Sequence, residues 1–260
     1  MQTIHLTSQN TAQWHKGFPE QAVAIGFFDG LHKGHLSVIQ EAKRLADEAG
    51  IASAVMSFFP HPKTVLGKGA ESFPYLMPLE EKQAALEALG IDTLFLVHFD
   101  RDIAGIPPVG FVEQFLIRLN AVQVVCGSDF HYGARGSGNT ETLAAQGAGH
   151  FDVSVVELLE FGGEKISSTR IRQALAQGNI SIVRKLLGKF YSVNWCPKNG
   201  LLPFYSLPAP GKYEVKLHHA DETVSCKAQV LNDKEAKFTH DFKQWSQAVR
   251  IEWIRSIGNH

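Results

Sequence analysis

Cysteine is scarce in this chain. Only Cys126, Cys196 and Cys226 occur among 260 residues, and an odd, scattered set offers neither a disulfide framework nor the paired spacing of a zinc site. Long apolar runs are absent as well, none approaching the roughly 20 residues that a membrane-spanning helix needs. Residues 1–10 are polar and lack the basic-then-apolar order of a signal peptide. No charge sign dominates: 25 Lys+Arg face 26 Asp+Glu, a formal net charge of -1, without the basic excess of a nucleic-acid binder. Internal repeats and low-complexity tracts are missing too. These absences lead us to expect a reduced, cytoplasmic globular protein with no membrane or nucleic-acid partner. With 44% hydrophobic residues, the chain can bury one full core and a second, smaller one.

Short apolar runs alternate with helical patterns as far as residue 190. The runs at 22–25, 52–58, 93–99, 121–126 and 152–156 are mostly continuous, as strands buried on both faces should be. Between them, 36–49 places Leu36, Ile39, Ala42, Leu45 and Ala46 on one helical face. Residues 80–89 follow Pro78, 109–119 repeat the pattern, and Gly50 and Gly90 stand where helix C-caps belong. The alternation predicts an α/β domain with a parallel sheet and covering helices. After Tyr191 the helical period stops. Pro197, Pro203, Pro208 and Pro210 punctuate the chain, and 212–218, 223–231 and 248–254 read as strands. We expect a first domain over 1–189 and a small antiparallel β domain over 190–260, too short to hold a comfortable core alone.

Four segments carry chemistry. Gly26-Phe27-Phe28-Asp29-Gly30-Leu31-His32-Lys33-Gly34-His35 follows the first of these apolar runs and opens the first long helix. Glycines there let backbone approach a phosphate, the helix start supplies free N–H groups, and two histidines add donors for charge building on a phosphoryl group. Phe58-Phe59-Pro60-His61-Pro62 closes the second run, its prolines fixing the backbone around His61. Gly127-Ser128-Asp129-Phe130-His131-Tyr132-Gly133-Ala134-Arg135 follows another, where aromatic rings can stack a planar group while Asp129 and Arg135 bind polar ones. Ile166-Ser167-Ser168-Thr169-Arg170-Ile171-Arg172 starts a helix. Its hydroxyls also suit ordinary N-capping, but arginine in a first turn opposes the helix dipole, and a bound anion would account for it. Taken singly, each segment also fits a plain turn, loop or cap. His98, His150, His218 and His219 read as structural or exposed, and Trp14, Trp195, Trp245 and Trp253 as packing residues.

His32-Lys33-Gly34-His35 resembles the H-x-G-H of the nucleotidyltransferase superfamily. The longer Gly-x-Phe-Asp-Gly-x-His-x-Gly-His string, the F-x-P-H-P segment, the G-x-D-F-x-F-G-like loop with Tyr132 in the last aromatic place, and I-S-S-T-x-I-R together resemble the bacterial FAD synthetase branch. The resemblance covers residues 26–172 in family order. It implies a Rossmann-like nucleotidyltransferase sheet with helices on both faces, and transfer of AMP from ATP to FMN with release of pyrophosphate. It assigns His32, His35 and Arg170 to catalysis. It assigns Gly26, Phe27, Phe28, Asp29, Gly34, Ser167, Ser168, Thr169 and Arg172 to ATP, which comes with Mg2+ and no dedicated protein cage for the metal. It assigns His61, Pro62, Asp129, Phe130, Tyr132 and Arg135 to FMN.

Many members of that branch carry a C-terminal riboflavin kinase with a Pro-Thr-Ala-Asn motif, and no such motif follows Tyr191 here. The tail therefore reads as a reduced or divergent relative of the kinase. Three other readings stay open: a bifunctional kinase and synthetase, a transferase acting on nicotinamide mononucleotide or phosphopantetheine, and a flavin-binding regulator without catalysis.

Overall fold

The near-continuous apolar runs become neighbours in one parallel sheet in a computed structural model, which describes residues 1–14, 17–67, 73–242, 245 and 247–258. Its strands are β1 (Gln2–Leu6), β2 (Gln21–Ile25), β3 (Ala52–Phe59), β4 (Thr93–His98), β5 (Ala121–Gly127) and β6 (Asp152–Val156). They lie in the order β1-β4-β3-β2-β5-β6, all parallel. All five residues of β2 are buried, which explains why that strand has no polar alternation. β1 does alternate, with Ile4 and Leu6 inward, because it is an edge strand paired only with β4. That short polar segment gave no sequence signal strong enough to predict it.

Helices fill the crossovers: α1 (Lys33–Ala49), α2 (Pro62–Leu66), α3 (Leu79–Ala88), α4 (Arg101–Gly105), α5 (Pro108–Val112) and α6 (Thr140–Gly147). From β2 the chain steps to β3 and β4 on one side, then to β5 and β6 on the other. Right-handed crossovers therefore send α1 and α3 to one face and α6 to the opposite face. The helix expected over 109–119 is instead α5 followed by a π-helical turn at Glu113–Ile117. This turn keeps Phe111 and Phe115 stacked at 5.1 Å within a core that also holds Phe95, Leu116 and Val124.

The remaining elements are the hairpin β7 (Glu160–Phe161) and β8 (Glu164–Lys165), the helices α7 (Ser168–Ala176) and α8 (Ile180–Leu187), and a second sheet. That sheet contains β9 (Tyr191–Cys196), β10 (Gly200–Leu201), β11 (Gly211–His219), β12 (Glu222–Val230), β13 (Ala236–Phe238) and β14 (Val249–Ser256). It is antiparallel throughout, in the order β10-β9-β14-β11-β12-β13. The strands expected at 212–218, 223–231 and 248–254 are β11, β12 and β14. β9 went unpredicted although its burial alternates strictly, Tyr191, Val193 and Trp195 pointing inward. Apolar residues of α7 and α8 (Ile171, Leu175, Val183, Leu186) share one core with Val193, Val215, Ile251 and Trp253.

The chain divides into two compact units. One comprises Met1–Phe28, Gly34–Phe73 and Glu80–Leu158; the other comprises Asp29–Lys33, Pro74–Leu79 and Leu159–His260. Among the described residues no helix is long and apolar enough to cross a membrane. Phe115 is wholly buried, so Phe115→Ala should cost about 3–5 kcal/mol through lost contacts and a residual cavity. A lowered urea midpoint with an unchanged m-value is the expected result.

Candidate functional site

The strand order reverses between β2 and β5, and ligands of open parallel sheets bind beyond the carboxyl ends of strands at such a point. Of the predicted segments, 26–35 leaves β2, 58–62 leaves β3 and 127–135 leaves β5. Gly26 N–H donates to Met56 O at 3.1 Å and forms the last rung beyond β2. The carbonyl of Phe27 accepts from Ser57 Oγ at 2.9 Å and from Lys82 Nζ at 2.9 Å. Lys82 Nζ also donates to Ser57 Oγ at 3.0 Å. The loop then turns through three left-handed residues, Phe28 (φ 49), Gly30 (φ 83) and Leu31 (φ 43). Two of these are not glycine, a conformation that persists only where the surroundings hold it. Phe28 is buried and meets the His35 ring edge-on at 5.4 Å. His32 is buried, at 4% exposure, while Gly34 and His35 lie in the first turn of α1.

Asp29 is the most connected residue of the loop. Its carboxylate accepts from Leu76 N–H at 3.1 and 3.2 Å and pairs with the Arg172 guanidinium. Its carbonyl accepts from Ser168 Oγ at 2.9 Å. Arg172 Nε donates to Pro74 O at 2.8 Å. Burial pushes the Arg172 guanidinium below its ordinary pKa, and the Asp29 charge works against that shift. Gly30 is required beside this pair: at φ 83, an added Cβ would stand 2.9 Å from that of Leu76.

The hydroxyl and arginine cluster thus divides its work. Ser167 caps α7 by accepting from Arg170 N–H at 3.2 Å, and Ser168 and Arg172 hold Asp29. Thr169 is exposed. Arg170 turns to the β7–β8 hairpin, donating to Phe161 O at 2.8 Å and Glu164 O at 2.9 Å and pairing with the Glu164 carboxylate at 3.0 Å.

An aromatic series lines the other predicted segments. Phe27 meets the His61 ring at 4.8 Å and Phe58 at 5.2 Å, and His61 stacks on Phe73 at 3.8 Å. His61 also caps α2, its Nδ1 accepting from Lys63 N–H at 3.2 Å with Pro62 as first helical residue. Phe130 stacks on Tyr132 at 5.8 Å, only 10° from parallel. Tyr132 itself is buried, and its hydroxyl donates to Gln146 Oε1 at 2.9 Å. Burial raises the pKa of its phenol. Gly138 is a necessity under that ring, since a Cβ would come within 2.7 Å of it. Asp129 and Arg135 are exposed, Arg135 with φ 57. The structure thus brings Phe27 to His61, Phe130 to Tyr132, and Asp29 to Ser168 and Arg172. Trp195, Trp245 and Trp253 are buried, and His98 and His150 are exposed. Among the described residues no cluster of three or more His, Cys, Asp or Glu is placed to hold a metal ion.

Lys82, Ser57 and Leu76 were not predicted. Lys82 had one legible signal: it occupies the stripe of Leu79 and Leu86 on α3, a position where an apolar residue would be ordinary.

A reversing parallel sheet with an H-x-G-H loop leaving its central strand defines an α/β fold of the nucleotidyltransferase kind. More narrowly, the chain belongs to the FAD synthetase family, whose sequence model matches residues 15–170. It is similar to a bifunctional riboflavin kinase/FMN adenylyltransferase from Bacillus subtilis, 34% identical over 99% of this chain and 90% of that protein. A protein of the same description from Listeria monocytogenes is 37% identical over 74% of this chain, which spans 61% of that relative's length. Over the whole chain the fold resembles a crystal structure of a protein described as a macrolide-efflux protein from Streptococcus pneumoniae, with TM-score 0.86 and 27% identity, covering 99% and 100% of the two chains.

Removing one partner of a buried ion pair leaves the other uncompensated, so Asp29→Ala should destabilise by about 3–5 kcal/mol. Adding Arg172→Met should recover most of that loss. A double-mutant cycle by chemical denaturation measures both, and simple additivity would contradict the coupling.

Proposed function

We propose that the chain transfers the AMP group of ATP to the phosphate of FMN, giving FAD and pyrophosphate. The observation that carries this reading is the histidine-bearing loop at the reversal point of the sheet, in a chain of the FAD synthetase family. An oxygen of the FMN phosphate attacks the α-phosphorus of ATP. The bond from that phosphorus to the bridging oxygen breaks, and pyrophosphate leaves with the electron pair. No covalent enzyme intermediate is needed, so positioning and charge stabilisation supply the catalysis.

In this reading His32 and His35 donate to phosphate oxygens as charge builds. The adenine lies over residues 26–29. Ser167, Thr169 and the N–H groups at the start of α7 hold the triphosphate, with Arg170 moving from the hairpin carbonyls to join them. Ser168 and Arg172 serve through Asp29. The flavin lies against His61 and Phe130, with Asp129 and Arg135 taking its polar groups and Tyr132 backing Phe130. Magnesium enters with ATP as part of the substrate and neutralises phosphate charge. Adenylyl transfer is assigned to residues 1–189, and the β-rich part from 190 onward has no kinase role.

A second reading gives that part riboflavin kinase activity. It is favoured by the alignment of 99% of this chain with a relative described as bifunctional; the missing Pro-Thr-Ala-Asn stands against it.

Chromatography of reactions with Mg-ATP and either FMN or riboflavin tests both readings. FAD from FMN alone is expected, and FMN from riboflavin would establish the second reading. His35→Ala should lower kcat about 100-fold or more with its circular dichroism unchanged. Near-normal kcat and KM would remove His35 from the catalytic set.

A further inference from the structure

We propose that Lys82 is a positioning residue, whose ammonium orients the nucleotide loop through the carbonyl of Phe27. This inference rests on the adenylyl-transfer reading. Lys82 is only 7% exposed, whereas Glu80, Ala84 and Glu87 of the same helix are exposed. An ammonium taken out of water is costly unless oxygen atoms replace the lost hydration. Packing alone would be served better by leucine at this place in the Leu79–Leu86 stripe.

The oxygens that receive it explain its presence. Phe27 O lies beyond the last rung of β2, where ladder pairing has ended. Lys82 Nζ at 2.9 Å and Ser57 Oγ at 2.9 Å converge on it, and the two donors are joined at 3.0 Å. That carbonyl belongs to the same rigid plane as the N–H of Phe28. Fixing the plane fixes the direction from which Phe28 enters its left-handed conformation (φ 49). The chain then passes Gly30 and Leu31, both left-handed, and delivers His32 and His35. A cationic donor holds the plane more firmly than a neutral one. Loss of that hold lets Phe28 relax toward common backbone regions and shifts everything downstream, and misplacement of about 1 Å near a reacting centre costs up to 100-fold in rate.

The test is Lys82→Met, which keeps the length of the stem and removes charge and donors, with Ser57→Ala as second variant. Steady-state rates are measured with ATP and FMN varied separately, and Mg-ATP affinity is measured by calorimetry. Folded Lys82→Met should lose about tenfold or more in kcat and bind Mg-ATP about fivefold more weakly, with KM for FMN within about twofold. General loosening of the fold would not select one substrate in this way. Rates and Mg-ATP affinity within about twofold of wild type, or equal losses for both substrates, would overturn the proposal. If Lys82→Met does not fold, Ser57→Ala decides: weaker Mg-ATP binding supports the proposal and unchanged binding overturns it. A wild-type chain that binds ATP without making FAD would defeat the transfer reading alone, because the affinities of the variants still test Lys82. A wild-type chain that binds no ATP defeats both.

Discussion

The carboxylate of Asp29 lies almost wholly out of water, and a charge so placed must be matched from several sides. It is matched by the Arg172 guanidinium and by the N–H of Leu76, while the Ser168 hydroxyl donates to the backbone carbonyl of the same residue. Two stretches far from it in sequence, one at Leu76 and one at Ser168–Arg172, are thereby tied to one residue. The consequence is a loop that can hold Phe28, Gly30 and Leu31 in left-handed backbone without collapsing into a commoner turn. Remove the match and the strain has nothing to oppose it.

Seen this way, the two best-defined sequence segments are each of mixed purpose. In the first loop, Asp29 and Gly30 build the shape and His32 and His35 are what the shape carries. In the second, Ser167 caps the helix, Ser168 and Arg172 reach back to Asp29, and Thr169 stays open to solvent. A motif of seven residues is therefore partly a description of a ligand and partly a description of its own scaffold. The same holds for Tyr132. Its hydroxyl is bonded inward to Gln146 while its ring stacks with Phe130, so the hydroxyl that phenylalanine lacks serves as an anchor.

The parallel sheet was legible because β2 through β5 are largely buried and announce themselves as mostly continuous apolar runs. The family-like strings were legible because glycine, histidine and proline at fixed spacing are rare by chance. β1 escaped because an edge strand of five residues carries only two inward side chains. The π-helical turn after α5 escaped because its apolar spacing differs little from that of an α-helix. Lys82 and Leu76 escaped for a different reason. Each acts on the loop from a distant stretch, one through a side chain that reads as surface charge and the other through a backbone N–H, which no residue type can signal. Arg170 shows the converse: the sequence marks it plainly, yet its partners Phe161 O and Glu164 O are carbonyls of a hairpin with two-residue strands.

The placement of β14 bears on how the chain is made. It lies between β9 and β11 in the second sheet, so the strand formed by residues 249–256 is an interior one. Every pairing of the first sheet is available once residue 156 has been synthesised, and chains fold from the amino end as they emerge from the ribosome. The second sheet has no such head start. β9 and β11 wait, with facing edges open, until residues 249–256 have been added. The interval between translation of β9 and translation of β14 is when these half-built edges can capture a neighbouring nascent chain.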